Sequence, residues 1–310
     1  MAKRSMLCAV LALTVLTAGA SFGNSFGITI GKETRDGLDQ LVFDNVAGDI
    51  QYAVGSYKYT KVNGVWSAAN APASPGLGYN DIHRQFDAMA LFFRPELNNA
   101  RFLIVTGMPQ SGVLATNIGY GNRRFGPGDL KIEVGPINYG VGLRQGGLYW
   151  GTVDPGPSQP WYQVHKAEGG TDIISARDAG TLGMVKKNPQ WDHVDNHTLA
   201  PYSENAYAFF RADSGAPMPG SAAVNFFDTG IALQGFPVFA YEVTVPWSSL
   251  EINPQQYAFR ASWRPDCGND IIAADFSGHY EVPPPDVPEA PTLLLALSGL
   301  SAIGIARRRR

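Results

Sequence analysis

Short apolar runs recur along the middle of the chain, many alternating with polar residues and most stopped by Gly, Pro, Asn or Asp. That is the pattern of β-strands; no stretch sustains the 3.6-residue period of an amphipathic helix. Gly27–Ile30 opens the series, and Gln51–Val54 and Tyr57–Thr60 flank Gly55. Asn63-Gly64 is a type I′ hairpin signal, with Val65-Trp66 after it. Phe86–Phe93 alternates only in part and reads as a core strand, and Arg101–Thr106 is strongly apolar and β-branched. Leu130–Val134 alternates cleanly, with Leu130, Ile132 and Val134 inward and Lys131 and Glu133 outward. Tyr139–Leu143 and Gly147–Trp150 suggest a further pair.

Residues 151–205 are less regular. Pro155, Pro157 and Pro160 interrupt them, Trp161–Val164 reads as a short strand, and Lys186–Tyr202 as a long polar loop. Strands resume at Ala206–Arg211, Asn225–Phe227, Phe239–Val245 and Tyr257–Trp263, with a brief turn at Ser248–Leu250. Strands without interleaved helices predict an all-β fold, an antiparallel β-sandwich of jelly-roll type. No internal linker divides it, so one domain is expected over 21–280.

The two ends have a different texture. Lys3 and Arg4 precede an uncharged run from Met6 to Leu16, and Ala18-Gly19-Ala20 follows. A basic head, a short apolar middle and an A-x-A end predict a signal peptide over 1–20, removed by signal peptidase. At the other end Pro283, Pro284 and Pro285 form a stiff spacer within 281–291. An uncharged run from Thr292 to Ala306 then leads to Arg307, Arg308, Arg309 and Arg310. The run is roughly 22 Å long as a helix, short of the roughly 30 Å hydrocarbon core. Terminal arginines can snorkel and extend it, and basic residues favour the cytoplasmic side. A transmembrane sorting helix over 292–310 is therefore predicted, with the folded body outside.

Val287, Pro288, Glu289 and Pro291, the apolar run and the arginine cluster together resemble the PEP-CTERM sorting signal of Gram-negative bacteria. The resemblance implies processing by an exosortase-type membrane protease and a place at the cell surface or in the extracellular matrix, near polysaccharide. Ala290 stands where the family's second proline is usual. The match covers about the last 24 residues.

Charge narrows the partners. Of 24 basic and 27 acidic residues, Lys3, Arg4, Arg307–Arg310 and Glu289 lie outside 21–286, leaving 18 basic and 26 acidic, net −8. An acidic body argues against nucleic acid, which needs clustered Lys and Arg. Cys8 lies in the leader, so the mature body keeps Cys267 alone. That excludes an internal disulfide and a multi-thiolate zinc site, leaving Cys267 buried or bridging between chains.

Tyr241–Leu250 resembles a late segment of family-9-like carbohydrate-binding and DOMON-type sandwiches. Phe86-Asp87, Phe102–Thr106 and Gly128-Asp129-Leu130 resemble their early part. Arg260–Asp270 resembles a Trp-x-x-x-Cys-Gly-Asn-Asp segment near the end of several PEP-CTERM proteins. Polysaccharide binding is what these resemblances imply.

Candidate chemistry is sparse. His193 and His197 are four apart but lack the glutamate of a zinc-protease motif and flank Val194 in a Pro-bounded stretch. No nucleophile elbow, P-loop or dinucleotide fingerprint is present, and no carboxylate pair stands out. The body is predicted not to be an enzyme; a matrix protein without ligand and a secreted glycan hydrolase are the alternatives. Asp266, Asn269 and Asp270 cluster with Gly268 as oxygen ligands for calcium or as turn formers. Asp87 and Asp129 are further oxygen candidates. Tyr149, Trp150, Trp161 and Tyr162 are the candidate sugar platforms, since adjacent strand residues face opposite sides and one of each pair faces outward.

Overall fold

A computed structural model of the chain describes residues 24–55, 59–68, 87–115, 123–144, 181–192, 208–265 and 270–281. The 1–20 leader, Tyr149, Trp150, Trp161, Tyr162, His193, His197, Asp266, Cys267, Asn269 and the spacer and sorting tail from 282 onward lie outside them. The chain divides into two compact units, Met1–His279 and Tyr280–Arg310; the strands belong to the first.

Two-residue turns with positive φ at both positions build three hairpins: Asp36-Gly37, Asn63-Gly64 and Gln234-Gly235. These are type I′ turns, whose twist matches that of the strands they join. The first joins β1 (Thr29–Arg35) to β2 (Leu38–Asp44). The second joins β4 (Tyr59–Val62) to β5 (Val65–Ala68). β4 lies parallel to β2, giving a small sheet in the order β1-β2-β4-β5. The third joins β16 (Ala223–Leu233) to β17 (Phe236–Pro246). With β7 (Asn99–Thr106), β6 (Ala88–Pro95) and β3 (Gln51–Val54) they form a middle sheet, β16-β17-β7-β6-β3, antiparallel throughout.

The third sheet runs β15 (Ala216–Pro217), β12 (Val185–Lys187), β11 (Ile137–Val141), β10 (Leu130–Val134), β18 (Tyr257–Trp263), β19 (Ile272–Gly278), again antiparallel. Two short ribbons, β8 (Val113–Ala115) with β9 (Arg123–Phe125) and β13 (Trp191–Asp192) with β14 (Phe209–Phe210), complete the strands. One helical turn, α1 (Trp247–Leu250), follows β17.

The expectation of an all-β chain with antiparallel sheets holds, and the layering adds to it. Leu91, Phe93, Phe102, Ile104, Tyr241 and Val243 of the middle sheet pack against Leu130, Ile132, Phe259, Trp263 and Phe276 of the third. Phe92, Leu103, Val105 and Ala240, on the middle sheet's other face, pack against Leu41, Phe43 and Val62 of the small sheet. There are thus two cores and three layers where a two-sheet sandwich was expected. The inner strands β6 and β7 of the middle sheet are buried on both faces, so they read as nearly continuous apolar runs. That is why 86–93 alternates only in part. β10 and β18 face a core on one side only, and they alternate.

The segment predicted as a loop over 186–202 starts with strand instead, at β12 and β13. Lys187 and Lys186 join the sheet through backbone pairing with Tyr139 and Gly140, which side-chain polarity does not reveal. β2 and β19 were not anticipated either.

Candidate functional site

The start of β6, the end of β7, the start of β10, the ends of β11 and β18 and the start of β19 share one end of the stacked sheets. Gly128 and Asp129 sit there, just before β10. A Cβ on Gly128 would lie 1.8 Å from the Arg264 carbonyl oxygen and 2.5 Å from that of Ala208. Only glycine permits this approach, which lets the Trp263 indole N–H donate to the Gly128 carbonyl at 3.1 Å and the Asp129 N–H donate to Ala208 at 2.7 Å.

The Asp129 side chain is buried, and both oxygens are occupied. Oδ1 accepts the Leu143 N–H at 3.1 Å and Oδ2 the Phe210 N–H at 3.1 Å. Arg144, itself 3% exposed, brings Nε to 3.8 Å of Oδ1, and its guanidinium lies 4.4 Å over the Phe209 ring. Burial pushes the Asp129 carboxyl up to about 6, against the pull of Arg144 and the two amides. The bond to Phe210 ties the β13–β14 ribbon to the end of the third sheet. The ribbon crosses that sheet's outer face, where Phe210 covers Gly140 so closely that a Cβ there would meet the ring at 2.4 Å. Trp191 stands edge-on to Phe210 and donates its indole N–H to Asn138 at 2.8 Å.

Asp270 plays a similar part between layers. Oδ2 accepts the Ala88 N–H at 2.7 Å, and Oδ1 accepts its neighbour Ile271 N–H at 2.9 Å. This clamps the lead into β19 onto the start of β6. Burial pulls the Arg264 guanidinium below its ordinary value, and the charge of Asp270 opposes that. Asp87 meets the same junction through its carbonyl, which accepts from Thr106 Oγ1 at 2.7 Å and the Gly107 N–H at 3.2 Å. The structure therefore brings Asp87, Asp129 and Asp270 to one end of the sheets, with the latter two holding backbone. Among the described residues no group of three metal-ligating side chains forms. A groove of about 450 Å³ on the outer face of the third sheet holds Glu133, Arg260 and Asp275. Arg260 and Asp275 pair there at 3.2 Å, both exposed, a contact worth about 0–1 kcal/mol.

The outer face of the small sheet is different in kind. The Asn63-Gly64 turn pairs Lys61 with Trp66 and Tyr59 with Ala68, so Tyr59, Lys61 and Trp66 share that face. Arg35 reaches over from β1, its Cζ 4.0 Å from the Tyr59 ring centroid and 4.8 Å from that of Trp66. Lys61 Nζ lies 5.6 Å over Trp66 and 2.7 Å from Glu33. Arg35, Tyr59, Lys61 and Trp66 are half-buried and Glu33 is exposed. Two aromatic rings with cations lying over them and a carboxylate at the margin combine apolar surface with hydrogen-bonding groups, the mixture a sugar can meet.

Of the residues predicted from sequence, Asp270 is placed as a clamp, and the aromatic candidates at 149, 150, 161 and 162 lie outside the described residues. Tyr59 and Trp66 were missed as a pair. Their shared face follows from counting across the Asn63-Gly64 turn; the approach of Arg35 depends on the parallel β2–β4 pairing and has no local signal.

Residues 286–310 match the PEP-CTERM protein-sorting motif. The motif marks the chain for export and for C-terminal sorting at the membrane by an exosortase. No curated protein and no solved structure matches the chain. Among the described residues no helix is long and apolar enough to cross a membrane.

Proposed function

We propose that this is an exported surface protein, held by its sorted tail, whose β body is non-catalytic and binds extracellular polysaccharide. Signal peptidase removes 1–20, an exosortase processes the tail near Pro288-Glu289, and the body stays at the cell surface or in its matrix. The sorting motif supports the address. The observation that carries the binding role is the aromatic and basic face of Arg35, Tyr59, Lys61 and Trp66. The two buried acids Asp129 and Asp270 each give both oxygens to backbone amides, which supports a structural role for them over a catalytic one.

Two measurements test the reading. Deleting 286–310 should release the protein from the cell envelope into the medium; unchanged retention would defeat the anchoring claim. Trp66→Ala should lower retention on polysaccharide by tenfold or more with an unaltered melting curve, and equal retention would remove this face as the site.

A further inference from the structure

We infer that Asn63 is a site of spontaneous deamidation, closed while its side chain is docked on Val46 and opened when the β4–β5 hairpin leaves that contact. Asn63-Gly64 is the only Asn-Gly pair in the chain. Gly64 gives its backbone nitrogen no side-chain shield, and a Cβ there would meet nothing within 4 Å. Both residues are exposed, so water reaches them.

The docking is specific. The Val46 N–H donates to Asn63 Oδ1 at 2.9 Å, and Asn63 Nδ2 donates to the Val46 carbonyl at 2.7 Å. The Asn63 N–H donates to the Phe43 carbonyl at 2.8 Å. The side-chain amide thus serves Val46 as a strand neighbour would and ties the exit of β2 to the turn. Val46 is itself buried in the second core. The two side-chain bonds hold Cγ toward Val46, whereas deamidation needs Cγ turned back onto the Gly64 nitrogen.

Once the contact opens, the Gly64 nitrogen gives up its proton to solvent base and bonds to Cγ. The Cγ–Nδ2 bond breaks, and ammonia leaves with a proton from water. Water then opens the resulting succinimide. Attack at Cγ gives aspartate; attack at the backbone carbonyl gives isoaspartate, with the chain routed through Cβ. An ionised aspartate only accepts hydrogen bonds, so it meets the Val46 carbonyl without the donor that Nδ2 supplied. Isoaspartate adds a carbon to a turn whose length sets the register of Tyr59, Lys61 and Trp66. An opening that ends in reaction is therefore not reversed by closing. This chemistry does not depend on what that face binds.

The full chain in mild detergent is aged at mildly alkaline pH, native and in urea, and residue 63 is followed by peptide mapping. Aspartate and isoaspartate should accumulate there at least tenfold faster in urea. Equal rates overturn the gating by Val46, and no conversion in urea overturns the site itself. Amide exchange tests the consequence. The N–H of residue 63 should exchange at least tenfold faster in Asn63→Asp than in the wild type, while Ile104 keeps its protection. The deamidated fraction of the aged wild-type protein, separated by charge, should behave the same way, which keeps the test decisive if the variant does not fold. Wild-type protection at residue 63 in the modified protein overturns the role of the amide in docking.

Discussion

Asp129 shows how much one side chain can hold when burial and hydrogen bonding oppose each other. Its carboxylate accepts two backbone N–H groups, Leu143 just past β11 and Phe210 in β14. Leaving such donors unmet would cost about 1–3 kcal/mol each. Burial nonetheless lifts its pKa from 3.8 to about 6. The folded protein then binds this proton more tightly than the unfolded chain does. Stability from this group is fully present below about pH 4, falls as pH rises to about 6 and is flat above. The fall is about 3 kcal/mol. Urea unfolding from pH 4 to 7 should show that slope in the wild type and a shallower one in Asp129→Asn. Parallel profiles would mean that Asp129 is not desolvated as described.

At the scale of elements, the ribbon β13–β14 lies on the third sheet because Gly140 leaves room for the Phe210 ring. Gly140→Ala places a methyl group where the ring stands at 2.4 Å, so Phe210 must move and the Asp129–Phe210 bond must stretch. Overpacking of this kind costs about 1–3 kcal/mol. Amide exchange should quicken at Phe210 while core amides such as Ile104 keep their protection; unchanged exchange at Phe210 would show that the ribbon is held by other contacts.

Elements such as β10, β18 and the β4–β5 hairpin were legible in the sequence because each depends on local alternation or on a turn that Asn-Gly strongly favours. β12 and β13 were not. Val185 and Trp191 are too few to set an alternation beside Lys186, Lys187 and Asp192, and the strand state comes from distant backbone partners in β11 and β14. The same limit hid the face proposed to bind polysaccharide. Trp66 and Lys61 could be paired by counting across a turn, whereas Arg35 joins them through a long-range register.

The whole molecule turns on the middle sheet, since its strands serve two cores at once. Phe92 points to the small sheet, where it meets Phe43 edge-on at 4.9 Å. Phe93 points the other way, into a cluster with Phe102, Tyr257, Phe259 and Phe276 at centroid distances of 5.0 to 5.3 Å. Sequence showed that both were core but not that they belonged to different cores, because consecutive buried residues carry no mark of what covers each face. Truncating either ring to alanine should cost about 3–5 kcal/mol. The two layers share β6 and β7, so loss on one side weakens the backbone that supports the other. Phe92→Ala and Phe93→Ala should therefore each lower the midpoint of a single unfolding transition, seen alike by tryptophan fluorescence and by far-ultraviolet circular dichroism. If Phe92→Ala instead produced an early transition that left the Phe93 cluster intact, the small sheet would be an independently folding layer. The Arg35–Tyr59–Trp66 face would then need its own stability measurement before any loss of binding could be read as loss of contact.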